Sequence, residues 1–190
     1  EEITNKEIIS FRAPVFKING DTIRALDEAG FKIDSSVCPQ RLGIFSSDIT
    51  NLGWLYSPRK PYHPSYKNPF VRGKASLWEI PVSSFVLCFM SNIGMAFGRT
   101  IENFFFNLFY AESSLFNKPI VYILHPEDIY ANRDISPYKY KFEWNHLLPS
   151  KEHGFIIRYA LYQNLDAKKI SDNIINLFNT IRNHKKVRFL

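Results

Sequence analysis

The feature that most constrains this chain is an alternation close to its start, where two short apolar runs flank a capped amphipathic segment. Residues 7–11 (EIISF) read as a strand and 12–20 as a turn-forming stretch. A helix follows, with Asn19 as N-cap, Ile18 and Ile23 set for a hydrophobic staple, Ile23, Leu26 and Ala29 on its apolar face, and Gly30 as its stop. Residues 31–37 (FKIDSSV) read as a second strand. Strand, helix and strand in that order imply parallel pairing, because the helix supplies the crossover that a parallel connection needs.

The alternation continues less cleanly. Pro39, Pro58, Pro61, Pro64 and Pro69 interrupt residues 38–74, which read as a long ordered loop, and loops of that length usually carry function. Residues 77–83 (LWEIPVS) are strand-like. Behind Thr100 as a plausible cap, Ile101, Phe104, Phe105, Leu108 and Phe109 recur at helical spacing in a helix that ends before Lys118-Pro119. Residues 120–124 (IVYIL) are apolar throughout, as in a strand covered on both faces. The last helix starts near Asp166, sets Ile170, Ile174, Leu177, Phe178 and Ile181 on one face, and has Lys185 and Lys186 near its negative end. At 190 residues the expectation is one α/β domain, with polar residues just beyond the strand ends forming the site.

Several classes are disfavoured. No run approaches the roughly 18 apolar residues of a membrane span, and residues 1–6 are not a cleavable signal. The chain begins at Glu1 rather than Met, which leaves an upstream leader or anchor open. Cys38 and Cys88 form neither a disulfide framework nor a closely spaced metal pair, so free thiols in a reducing, cytoplasmic setting are the plain reading, with localisation left open. The net charge of +6 is scattered apart from Lys185, Lys186 and Arg188, and no element reads nucleic acid. The 17 Phe and 10 Tyr suit a core better than a sugar groove.

Three short stretches lie at or just past predicted strand ends: Arg12 with Pro14 and Phe16, Asp34 with two serines, and Leu124-His125-Pro126. In a parallel fold these ends converge on one face. A carboxylate beside an imidazole raises its pKa and fixes its tautomer, so a protonated histidine there can donate to a leaving nitrogen. Each residue also has a structural reading: His125 as hydrogen-bonded scaffold, Asp34 as turn former, Arg12 as a surface ion pair.

The string from Ser10 to Pro39, SFRAPVFKINGDTIRALDEAGFKIDSSVCP, resembles the third and fourth motifs of the polysaccharide deacetylase, or NodB homology, family (carbohydrate esterase family 4). Residues 77–83 resemble that family's "EiPvs" strand, and Ile123-Leu124-His125-Pro126-Glu127 its closing Leu-x-His motif. The resemblance implies a distorted (β/α) barrel and metal-assisted removal of N-acetyl groups from a glycan. It implies that His125 is the general acid, that Asp34 orients and tunes it, and that Arg12 holds a catalytic-base aspartate from another motif. Pro14, Phe16 and Leu124 would then line the groove for sugar and acetyl methyl. Val37 stands where the family often has a tryptophan, which leaves one groove wall in question.

The family's Thr-Phe-Asp-Asp run and its His-x-x-x-His motif do not occur in this chain, and His63, His146, His153 and His184 lack the spacing of metal ligands. No residue of the chain is therefore assigned as a metal ligand; a zinc or cobalt ion would belong to the complete protein. The expectation is a barrel incomplete at its N-terminus, whose open strand edge is filled by an upstream segment or a partner chain. The alternative is a non-catalytic glycan-binding or structural relative that has lost the metal site.

Overall fold

A computed structural model describes residues 7–42, 52–124, 149–150, 154–155 and 167–183. Two compact units divide the chain: one of residues 1–42, 50–88 and 112–121, the other of 43–49, 89–111 and 122–190.

The first unit holds the expected strand-helix-strand arrangement. Strands β1 (Ser10–Phe11), β2 (Ile33–Asp34) and β3 (Trp78–Glu79) form a parallel sheet in that order, with Phe11 opposite Asp34 and Asp34 opposite Glu79. The regular strands are short, but the hydrogen bonding runs further: Ile33 and Ser35 donate to Ile9 and Phe11, and Ile80 and Val82 to Asp34 and Val37.

Helix α1 (Gly20–Glu28) makes the crossover. Its first turn is capped by the Asn19 side chain, which accepts from the Thr22 N–H at 2.8 Å, and Gly30, at φ +84°, supplies the left-handed turn that ends it. Ile18, Ile23 and Leu26 bury against Ala13, Val37, Trp54, Ala75 and Leu77, with Phe11, Phe31 and Phe70 packed around them. Asp27 ties the helix to the segment before β3, accepting from the Tyr66 hydroxyl and from the Ser76 N–H and hydroxyl.

Among its described residues the proline-rich stretch contains one short helix, α2 (Gly53–Tyr56), which buries Trp54. Further on, β4 (Ser84–Phe85) and β5 (Leu87–Cys88) form an antiparallel pair about Val86, at φ +62°. Arg59 then joins this stretch to Glu112 through two hydrogen bonds of 2.6 and 2.7 Å, and Lys118 reaches the same carboxylate at 2.8 Å.

Helix α3 spans Ser91–Phe116, with residues 91–111 in the second unit and 112–116 in the first, and is interrupted at Gly98, whose φ of +79° is not helical. The helix therefore starts well before Thr100, which lies inside it rather than capping it; the apolar spacing revealed only the part beyond the break. Its buried face is also rotated from expectation. Phe105, Phe106 and Phe109 are buried with Glu102, whereas Ile101, Phe104 and Leu108 are exposed. Phe89 packs on Phe109 and Tyr122 at ring separations of 5.3 and 4.7 Å. Ile123 makes a single parallel bridge to Met90 in place of a full strand. Helix α4 (Ala167–Asn183) buries Ile174 and Leu177, while Phe178 on the expected apolar face is exposed. Strands β6 (Pro149–Ser150) and β7 (Gly154–Phe155) pair antiparallel. Among the described residues, no helix is long and apolar enough to cross a membrane.

Candidate functional site

Arg12 and Asp34 come together because β1 and β2 are neighbours in parallel register. Arg12 leaves the end of β1 and donates from Nε to the Ser35 carbonyl and from Nη2 to the Ser35 hydroxyl, both at 2.9 Å. The Ser35 hydroxyl in turn donates to the Ile80 carbonyl at 2.8 Å, so one serine links all three strands. Next to it, the Ser36 hydroxyl accepts from the Ala13 N–H at 2.8 Å and donates to Asp34 Oδ1 at 2.6 Å. The Asp-Ser-Ser run is thus more than a turn former: its two serine side chains fasten strand ends to one another.

Asp34 is fully buried, and its register partner Glu79 is fully buried beside it. Glu79 Oε1 accepts from the Val37 N–H at 3.0 Å. Among the described residues, Asp34 Oδ2 and Glu79 Oε2 find no donor. Burial pushes the Asp34 carboxyl above its ordinary value, against the opposing effects of Glu79, Ser36, the Ser35 N–H and the Arg12 charge. Glu79 is raised well above the carboxylate range by burial first and by the charge of Asp34 second. Burial and these two acids also raise the Tyr62 phenol, whose hydroxyl donates to the Pro69 carbonyl at 2.6 Å.

Pro14 and Phe16 lie in a 3-10 turn directly after Arg12. Within it Val15 has φ +51° and Phe16 φ +59°, a left-handed conformation that a β-branched residue rarely adopts. Such backbone strain persists only where the surroundings over-determine it, and it concentrates at functional sites. Here the turn is closed by the Phe16 N–H on the Ala13 carbonyl at 3.0 Å. The Arg41 guanidinium sits 5.7 Å from the Phe16 ring and 4.9 Å from the Trp54 ring.

Leu124 is half-buried in the second unit, and His125 lies outside the described residues. His63 stacks on Trp78 at 3.9 Å and its Nδ1 pairs with the Leu77 carbonyl at 3.1 Å, a packing role. His146, His153 and His184 also lie outside the described residues. Cys38 and Cys88 are both buried and carry free thiols that meet, and burial pushes the Cys38 thiol well up.

Sequence reasoning missed Glu79. It was legible as a lone acid in a largely apolar strand (LWEIPVS), a pattern that signals a buried carboxyl in need of a partner. Its partner could be named only once the register was known.

The described residues do not fit a divalent cation. Among them, no three His, Cys, Asp or Glu side chains converge to hold one, and the Asp34–Glu79 pair offers two carboxyls whose other oxygens already serve Ser36 and Val37. What the arrangement offers chemically is two buried carboxyls held at fixed orientation, with a guanidinium at the neighbouring strand end. Comparisons with protein-family models, with curated proteins and with solved structures find no match.

Proposed function

We propose that this chain carries the acid side of a glycan N-deacetylase of the polysaccharide deacetylase type, on a distorted (β/α) barrel completed by an upstream segment or a partner chain. In this reading His125 protonates the leaving amine, Asp34 orients and tunes it, and Arg12 holds the catalytic-base aspartate of another motif. Pro14, Phe16 and Leu124 line the groove for the N-acetylated sugar. The metal that such enzymes use would be held by residues outside this chain.

One observation supports the reading above the others: the parallel register of β1 and β2 sets Arg12 against the Asp34-Ser35-Ser36 run. The resembled motifs, an Arg-x-Pro and an Asp-Ser-Ser separated by a helix, require that adjacency. The strained turn at Val15 and Phe16, just where the sugar groove is proposed, adds to it.

The experiment joins the chain to its natural upstream region, loads the protein with zinc or cobalt, and measures acetate released from N-acetylglucosamine oligomers. Release that is abolished by His125→Ala, with metal affinity retained, is the expected result. Absence of release from the complete, loaded protein across several acetylated glycans would overturn the reading. A second reading, a non-catalytic glycan-binding relative, draws support from the complete burial of Asp34, which suits a scaffold carboxyl. It predicts glycan binding without acetate release.

A further inference from the structure

The least expected group in the sheet is Glu79, an acid in the middle of an apolar strand and shut off from solvent. It stands in register with Asp34 on the adjacent parallel strand, so both side chains leave the same face of the sheet. One oxygen of each is satisfied, Asp34 Oδ1 by the Ser36 hydroxyl and Glu79 Oε1 by the Val37 N–H. The other oxygen of each has no donor among the described residues.

The charged and titratable groups facing the pair do not fill that need. Arg12 directs its hydrogen bonds to Ser35, Tyr62 donates to Pro69, and Arg72 lies over the Tyr62 ring at 6.0 Å. Two full negative charges buried on adjacent strands without a direct counterion repel strongly, and two buried carboxyls that meet respond by keeping a proton.

We propose that Glu79 is a positioning residue that stays a neutral acid in the folded sheet and shares its proton with Asp34, so that the two buried carboxyls carry one negative charge between them. Asp34 is the anionic member because Ser36 donates to it and the Arg12 charge acts on it. Ser36 on one oxygen and Glu79 on the other then fix the plane of the Asp34 carboxylate. The consequence for catalysis rests on the deacetylase reading: with its charge and orientation set by Glu79, Asp34 presents a defined anion for the histidine acid.

Infrared spectroscopy of the chain at neutral pH tests the shared proton without any activity. A protonated-carboxyl stretching band that moves on carbon-13 labelling of glutamate is expected, measured in a Glu102→Gln background because Glu102 is the other buried glutamate among the described residues whose carboxyl is raised, to about 7. Glu79→Gln, which keeps a donor and an acceptor in place, should remove that band; a spectrum unchanged by the substitution overturns the proposal. Should Glu79→Gln not fold, Asp34→Asn is the second variant. The Glu79 band should then persist at a shifted frequency, and an unshifted band contradicts sharing.

In the complete metal-loaded protein, Glu79→Ala should lower kcat at least about tenfold with KM unchanged, as loss of an orienting partner does, and Glu79→Gln should restore it. Equal loss in both variants contradicts positioning. A wild-type protein that releases no acetate removes the deacetylase reading alone and leaves proton sharing to the infrared result.

Discussion

Glu79 in the sheet and Glu112 in helix α3 are both withdrawn from solvent within the first unit, yet they are satisfied in opposite ways. Glu112 meets two cations, Arg59 and Lys118. Burial raises its carboxyl, but the hydrogen bonds and charges of those partners outweigh burial, and it ends below its ordinary value. Glu79 meets another carboxyl and no cation, so burial and the neighbouring charge act together and it ends well above. The lesson is that burial raises each carboxyl, and that a cation partner, present for Glu112 and absent for Glu79 among the described residues, is what overturns the rise. Glu102, in the second unit, is a third case: among the described residues it accepts from the Tyr122 hydroxyl alone, at 2.8 Å, and burial raises it to about 7.

Four measurements sharpen that comparison. The largest effect is expected for Glu79→Ala, which strands the Val37 N–H and leaves a cavity beside the buried Asp34 carboxyl. Chemical denaturation should show a loss of about 4 kcal/mol, against about 1 kcal/mol for Glu79→Gln. Glu102 comes next. Its folded pKa lies above its ordinary value of 4.5, so no penalty exists below 4.5 and stability is lost as pH rises from there through about 7. Unfolding free energy should fall by up to about 3 kcal/mol over that window, one pKa unit being worth about 1.4 kcal/mol, and Glu102→Gln should flatten the curve.

Arg59→Ala should cost about 2 kcal/mol, a figure below that of a fully buried pair because its side chain is partly exposed and Lys118 still serves Glu112. Added salt should change the stability of the wild type more than that of this variant. Asn19→Ala, which removes the cap of α1, should lower the thermal midpoint by the equivalent of about 1 kcal/mol.

Much of the first unit was legible because its signals are local. The cap at Asn19, the staple of Ile18 and Ile23, the stop at Gly30 and the two apolar runs each act within a few residues, and together they specify strand, helix and parallel strand. Helix α3 was legible only beyond Gly98, because a left-handed glycine resets the apolar phase and hides the turns before it. Apolar spacing named Phe105 and Phe109, which are buried, together with Ile101, Phe104 and Leu108, which are exposed, and it missed the buried Phe106.

In the candidate site, Arg12 and Asp34 could be singled out by their motif context. The links through Ser35 and Ser36 could not, since they depend on which strands are neighbours. The Asp34–Glu79 pair joins residues separated by a long loop, and no one-dimensional pattern encodes that register.

The slope of unfolding free energy against pH, compared for wild type and Glu79→Gln between the ordinary carboxylate range and neutrality, is the most direct measure of the shared proton. Because the folded pKa of Glu79 is raised above its ordinary 4.5, the folded state holds a proton there that the unfolded chain has released. Wild type should therefore lose about 1.4 kcal/mol per pH unit more than the variant as pH rises. Parallel slopes would mean that Glu79 ionises in the folded sheet, and proton sharing between the two carboxyls would be contradicted.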